Sequence, residues 1–270
     1  PEVGHRLVKI SASKTPPDVA ERYVGFLPAG RFNQLALQFH GETSRRPGEY
    51  FTENVERLCP PLHRDGLLEP IVYFCPFRGK QPQDRYDLSL PDDRKAYAAY
   101  LLEMMRHGAG GIELDCNDWV TDVNVPVADV LNFICNTLAS AYPDARVLYC
   151  PSLYGRERYH GTPSPELTAT LSKVPPQVWT LWTGAEALIL KPLDEARVLE
   201  WTRLAGRPPF LWVNRVGPKG KGAFARSLDG EPEARVFQGE LLPENLGRLF
   251  EGVHLNVSSL TIGERTKDVD

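Results

Sequence analysis

The stretch Gly111-Ile112-Glu113-Leu114-Asp115-Cys116-Asn117-Asp118 decides the fold. Its apolar first half is typical of a buried parallel strand, and its polar second half is typical of the point where such a strand ends. Glu113 and Asp115 are carboxylates in a segment that their neighbours make buried. A buried carboxylate has to be paired, protonated or functional, so the same stretch predicts a site.

Seven further runs of β-branched, aromatic or aliphatic residues end in the same way, and they are spread evenly along the chain. The predicted strands are Arg6–Ser11, Asn33–Phe39, Pro70–Cys75, Gly111–Asp115, Arg146–Cys150, Gln177–Trp182, Pro209–Asn214 and Gly252–Asn256. Segments with helical spacing or helix-start signals lie between them. The predicted helices are Pro17–Leu27, Tyr50–Asp65, Asp92–His107, Val127–Tyr142, Ser164–Lys173, Leu193–Ala205 and Pro243–Phe250.

Eight strands that alternate with seven helices predict an α/β protein with a single (β/α)8 TIM-type barrel. No Ser/Gly linker or composition shift marks a boundary, so we expect one domain over residues 1–270. A doubly wound open sheet is the second choice, but it needs a G-x-G-x-x-G loop that the first strand lacks. The chain stops soon after the eighth strand. We therefore expect a neighbouring domain or subunit at that edge, or a chain excised from a larger protein.

The composition predicts a cytoplasmic protein without a nucleic acid or membrane partner. Thirty-one basic and 35 acidic residues give a net charge of −4, whereas both partners need a clustered basic surface. No stretch approaches the roughly 20 apolar residues of a membrane span, and no signal-peptide hydrophobic region opens the chain. Five cysteines without a C-x-x-C pair predict reduced thiols. No metal-binding histidine spacing occurs, so neither a metal nor another cofactor is expected, and the oligomeric state stays open.

Barrels of this type carry their chemistry at the C-terminal ends of the strands. The residues there combine carboxylates, amides and aromatic rings, which predicts a polar, ring-shaped small molecule or glycoconjugate as substrate. Trp182 and Trp212 fit core tryptophans at least as well, and His40 fits a hydrogen-bonded loop histidine better than a base. The candidate site residues are His40, Asp115, Cys116, Asp118, Tyr154, Trp182, Trp212, Asn214, Lys219 and Asn256.

Five strand-end motifs follow one another between about residue 30 and residue 258. They are Asp115 after an apolar strand, Tyr149-Cys150-Pro151-Ser152-Leu153-Tyr154, Leu181-Trp182-Thr183-Gly184, Pro208-Pro209-Phe210-Leu211-Trp212-Val213-Asn214 and Gly252-Val253-His254-Leu255-Asn256. In order and spacing they resemble glycoside hydrolase family 84, the hyaluronidase-like barrels of O-GlcNAcases and bacterial β-N-acetylglucosaminidases. The resemblance implies a retaining β-N-acetylhexosaminidase in which the substrate's own 2-acetamido oxygen attacks the anomeric carbon. The ordinary two-carboxylate scheme uses a protein nucleophile instead.

The family places two adjacent aspartates after strand four. The first polarises the acetamide nitrogen, and the second protonates the leaving oxygen and later deprotonates water. Asp115 matches the first aspartate, but Cys116 stands where the second belongs. A thiol, with a reference pKa near 8.5, is a poor acid for a sugar oxygen. Asn117 or Asp118 compensates only if the loop is shifted by one or two residues.

Other matches concern the sugar itself. The resemblance implies that Tyr154 helps to hold the acetamide and that Trp212 forms an aromatic wall. It also implies that Asn214 contacts sugar hydroxyls and that Asn256 lies near the acetamide.

Three positions depart from the family pattern. Lys219 stands for an aspartate that grips distal sugar hydroxyls, His40 stands for a lysine, and residues 10–14 replace a glycine-rich motif. A lysine in place of an acid predicts a ligand more anionic than plain N-acetylglucosamine, with solvated loop cations as the equal alternative. The basic residues that would share this charge are Arg78, Arg215 and Lys221.

Three functions stay open, because one barrel scaffold hosts many chemistries. The first is hydrolysis of a β-linked N-acetylhexosaminide, with Asp115 polarising the acetamide and Asp118 or Cys116 as acid/base. The second is changed chemistry on an acylated or anionic small molecule, carried by Asp115, Cys116 and His40. The third is a sugar-binding barrel without catalysis.

Overall fold

The computed structural model describes residues 4–39, 43–46, 48–66, 68–79, 81–115, 126–151, 165–182, 194–213 and 246–256. In these ranges eight parallel strands follow one another around a closed barrel, and the last strand pairs with the first. The predicted (β/α)8 barrel is therefore confirmed. The strands are β1 (His5–Ile10), β2 (Gln34–Gln38), β3 (Glu69–Tyr73), β4 (Gly111–Asp115), β5 (Arg146–Cys150), β6 (Val178–Trp182), β7 (Phe210–Val213) and β8 (Gly252–Asn256).

Helices separate the strands, as the sequence predicts. None of them, within the described ranges, is long and apolar enough to cross a bilayer. Short 3₁₀-helices at Pro28–Gly30 and Pro82–Asp84 were not predicted. The α-helices are α1 (Pro17–Val24), α2 (Phe51–Asp65), α3 (Pro91–Arg106), α4 (Val127–Ala139), α5 (Pro165–Leu171), α6 (Glu195–Ala205) and α7 (Leu246–Leu249).

Helices α1 and α4 each end three residues earlier than predicted. Helix α1 stops at Val24 instead of Leu27, and α4 stops at Ala139 instead of Tyr142. Gly25 directly follows α1 and Ser140 directly follows α4, and both residue types form helices less readily than alanine. The predicted start of the last helix, Pro243, lies outside the described residues.

The helices pack on the outer face of the barrel through aromatic and aliphatic side chains. The Phe39 ring lies edge-on to Phe51 of α2 and to Phe74, with ring centroids 5.3 Å apart in each pair. On the opposite side, the indole N–H of Trp201 in α6 donates to the Thr180 hydroxyl of β6 at 2.8 Å. Each fully buried side chain of this size contributes about 1.5–3 kcal/mol, so the helix layer holds the barrel rigidly.

The lower part of the barrel interior is apolar. It is filled by fully buried aliphatic side chains from β1, β2, β3 and β5, and a side chain at Gly252 would collide with the Phe210 ring. The aliphatic residues are Leu7, Ala36, Ile71 and Leu148. A polar layer lies above this floor, toward the C-terminal ends of the strands, and it forms the base of the candidate site.

Candidate active site at the barrel mouth

Charged side chains meet inside the barrel. Lys9 of β1, Glu113 of β4 and His254 of β8 are all fully buried. Because β4 is a neighbour of neither β1 nor β8, contacts of Glu113 with Lys9 and His254 must cross the interior. These three residues and Asp115 form the interior charge cluster.

Glu113 lies at the centre of this cluster. Its Oε1 is 3.7 Å from Lys9 Nζ, and its Oε2 is 3.1 Å from His254 Nε2. Burial by itself raises the pKa of Glu113, but the charges of His254 and Lys9 and the hydrogen bond with His254 outweigh it, so the pKa lies below its ordinary value. An ionised carboxylate only accepts hydrogen bonds, so the imidazole carries its proton on Nε2.

Two aromatic faces enclose the Lys9 ammonium. Lys9 Nζ lies 4.1 Å from the centre of the Trp212 ring and 4.8 Å from the centre of the Tyr73 ring. The Trp212 ring also packs 4.7 Å from the His254 ring. A cation over a desolvated aromatic face is stabilised by about 2 kcal/mol, which helps to offset the cost of burying the ammonium.

Asp115 is the last residue of β4 and lies at the mouth of the barrel. It is 5% exposed, and its Oδ2 is 4.0 Å from Lys9 Nζ. Burial, followed by the Asp115 charge, raises the pKa of Tyr73 well above its usual value. Burial also raises the pKa of the Cys75 thiol to about 12, and the Asp115 charge adds to that effect. The Asp115 charge thus acts on Tyr73 at the end of β3 and on Cys75 just after it.

Side-chain hydrogen bonds fix the loops at the mouth. The Asn54 amide of α2 donates to the carbonyls of Ala12 and Thr15 at 2.7 and 2.8 Å. The Ser44 hydroxyl lies 2.9 Å from the Cys75 carbonyl and 2.8 Å from the Arg78 carbonyl. These bonds hold the loop after β1 against helix α2 and the loop after β3 against Ser44.

The two predicted tryptophans lie on opposite sides of the barrel wall. Trp212 points into the interior and packs on the Lys9 ammonium, which lies beside Asp115. Trp182 shares one side of β6 with Thr180, which contacts helix α6, and its ring packs 5.8 Å from that of Phe250. The structure therefore does not bring Trp182 to the interior charge cluster, and its role in binding stays a prediction.

Of the seven remaining predicted site residues, Asn256 lies in the described ranges. The backbone of Asn256 pairs with Lys9 at the end of β8. No group of metal-binding side chains occurs in the part of the chain that the structure describes. The predicted site residues outside the described ranges are His40, Cys116, Asp118, Tyr154, Asn214 and Lys219.

Lys9, Tyr73 and His254 were not among the predicted site residues. Lys9 and His254 each stand between apolar neighbours within a strand, which is the signal that marked Glu113. A rule that selects residues only at strand ends passes over them.

Comparisons with known proteins support the fold. No family model matches the sequence, and a search of curated proteins finds no match. Among solved structures, the chain is similar to a mutant O-GlcNAc hydrolase of Thermobaculum terrenum, with a TM-score of 0.64 and 12% sequence identity. The alignment covers 96% of this chain and 56% of the hydrolase, so the chain spans little more than half of that protein. At this identity the likeness shows a barrel of the same fold.

Proposed function

We propose that this chain is the barrel of a glycoside hydrolase that cleaves β-linked N-acetylhexosaminides with the help of the substrate's acetamido group. The observation that carries the proposal is Asp115, a carboxylate at the C-terminal end of β4 that faces Lys9 across the barrel. Active sites of such barrels lie at this end. The fold shared with an O-GlcNAc hydrolase supports the same class of chemistry.

Asp115 acts on the acetamide and not on the sugar carbon. Its carboxylate accepts the acetamide N–H, which makes the acetamide oxygen more nucleophilic and fixes it below the anomeric carbon. That oxygen attacks, the glycosidic bond breaks, and an acid transfers a proton to the leaving oxygen. Water then opens the cyclic oxazolinium, and the same acid group takes up the proton that the water loses.

Asp118 is the proposed acid/base, because a carboxyl group is the better proton donor to a sugar oxygen and Cys116 carries a thiol. If neither Asp118 nor Cys116 acts as the acid/base, the barrel binds an N-acetylhexosamine without cleaving it. The substitution of a cysteine where the family has its acid is the observation that favours this second candidate. Lys219 further suggests an acidic group on the ligand.

Turnover of a chromogenic N-acetyl-β-glucosaminide tests the proposal. Asp115→Asn is expected to reduce kcat/KM by about 10²–10³-fold, the range for loss of one preorganised electrostatic contact. Asp144→Asn is the matched control, because Asp144 is exposed in the loop before β5. The corresponding β-glucoside lacks the acetamide and is expected to remain uncleaved. Equal turnover of both glycosides, or full activity of Asp115→Asn, contradicts the proposal.

Two further variants identify the acid. Asp118→Asn is expected to abolish turnover of substrates with poor leaving groups, whereas Cys116→Ser is expected to retain it. Cys116→Asp restores the family's pair and is expected to increase turnover if the cysteine has weakened the enzyme. Measurable binding of N-acetylglucosamine without turnover by the natural chain or by Cys116→Asp supports the binding barrel instead.

A further inference from the structure

Lys9 is a fully buried ammonium between two carboxylates. Its Nζ is 3.7 Å from Glu113 Oε1 and 4.0 Å from Asp115 Oδ2. Neither distance is short enough for a hydrogen bond, and among the described residues Lys9 Nζ and Glu113 Oε1 have no hydrogen-bond partner. We infer that Lys9 is a positioning residue that keeps the Asp115 carboxylate ionised and aimed at the barrel mouth. The inference rests on the proposed function, which gives Asp115 its task.

The charges of the cluster explain why Lys9 serves Asp115. Glu113 already has a cationic or hydrogen-bonding partner on its far oxygen, the imidazole of His254 at 3.1 Å. That contact partly stabilises the Glu113 carboxylate. The positive charge of Lys9 is therefore not used by Glu113 alone and also stabilises the Asp115 carboxylate. Without Lys9, two carboxylates on one face of β4 would share the support of a single imidazole.

The remaining groups near Asp115 are side chains of the neighbouring strands and the guanidinium of Arg78. Tyr73 of β3 and Cys75, two residues after it, have raised pKa values, so both are neutral at neutral pH. Cys150 of β5 is the strand neighbour of Asp115 in the barrel register. Arg78, after β3, acts on the pKa values of Tyr73 and Cys75 and donates to the Phe39 carbonyl at 3.1 Å.

The position of the ammonium is set by packing. The faces of Trp212 and Tyr73 enclose Nζ, so it has little room to move toward either carboxylate. An ammonium fixed between two acids favours the ionised form of both. The ionised carboxylate is the stronger acceptor for the acetamide N–H, so the fixed lysine maintains the active protonation state.

Two substitutions with opposite expected effects test the inference. Lys9→Met keeps the length of the side chain and removes the charge, so the acidic limb of the kcat/KM profile is expected to move up by about 1–3 pH units. Glu113→Gln removes the competing carboxylate, so the same limb is expected to move down. Lys95→Met, on the exposed face of α3, is the matched control and is expected to leave the profile unchanged.

A purely structural role for Lys9 would lower activity in both variants without moving the limb in opposite directions. That result, or an unmoved limb in a folded Lys9→Met, overturns the inference. If Lys9→Met does not fold, Glu113→Gln decides alone, and an unchanged or upward limb overturns the inference.

Carboxyl ¹³C NMR separates this inference from the proposed function. The Asp115 signal is assigned by its loss in Asp115→Asn, and its titration midpoint is expected to rise in Lys9→Met and to fall in Glu113→Gln. These shifts without any glycoside turnover uphold the role of Lys9 and refute the proposed function. Turnover that depends on Asp115, with an unchanged midpoint in both variants, upholds the function and refutes the role of Lys9.

Discussion

The contact between Lys9 and Glu113 predicts a measurable coupling in stability. Two unit charges 3.7 Å apart attract by about 4.5 kcal/mol at an effective dielectric constant of about 20, and desolvation opposes this gain. Removing one partner leaves a buried charge with less compensation. Lys9→Met is therefore expected to lower the free energy of unfolding by about 3–5 kcal/mol. The double variant Lys9→Met/Glu113→Gln is expected to lose about 1–3 kcal/mol less stability than the sum of the losses of the two single variants.

Urea unfolding of the natural chain, both single variants and the double variant at neutral pH measures this coupling. Equal dependence on urea concentration in all four proteins is required, because it shows that the same surface is exposed on unfolding. The exposed pair of Arg57 and Glu21, with Nε and Oε1 2.8 Å apart, supplies a control cycle in which water screens the charges. The reasoning is refuted if the stability losses of Lys9→Met and Glu113→Gln sum to the loss of the double variant within about 0.5 kcal/mol.

Three further predictions concern stability and thiol chemistry. The pKa of Glu113 lies below its ordinary 4.5, so its contribution is complete above that pH and is lost as the pH falls through the lowered value. Acid titration of the unfolding free energy should accordingly show a weaker decline for Glu113→Gln. Thr180→Val leaves the buried indole N–H of Trp201 without its partner and is expected to cost about 1–3 kcal/mol in thermal or urea unfolding, whereas Thr180→Ser keeps the hydroxyl. In Cys116→Ser, a thiol reagent is expected to label the four remaining cysteines only after unfolding, because all are buried, and rapid labelling of the native protein would contradict this. They are Cys59, Cys75, Cys135 and Cys150.

The barrel was predictable because its strands are short and clearly bounded. Strands β4, β5 and β8 have the predicted limits, since each apolar run is bounded by a glycine or arginine before it and a polar residue or thiol at its end. The other strands differ by one or two residues at their ends. Helix ends were harder to predict, because the residues that follow α1 and α4 still fit the helical spacing of apolar residues.

The interior charge cluster was only half predictable. Glu113 and Asp115 were predicted from the rule that a buried carboxylate is paired, protonated or functional. The same rule, applied to buried cationic and imidazole side chains, selects Lys9 and His254. Their pairing was beyond a local reading, because residues more than a hundred positions apart meet only when the barrel closes. Partners across a closed barrel follow from strand register and tilt, which neighbouring residues do not encode.

The two tryptophans show the same limit. Trp182 and Trp212 both follow a leucine near the end of a strand. Alternation puts successive side chains on opposite sides of the wall, so the side that a tryptophan takes depends on the register of its strand. Only the structure separates Trp212, over the Lys9 ammonium, from Trp182 beside Phe250.

A crystal structure with a thiazoline derived from N-acetylglucosamine tests the central claim most directly, because its ring mimics the cyclic intermediate. The account predicts that the ring nitrogen, which stands in for the acetamide nitrogen, lies about 2.6–3.2 Å from an Asp115 carboxylate oxygen. A thiazoline bound away from Asp115, or an Asp115 carboxylate turned from the barrel mouth, would contradict it.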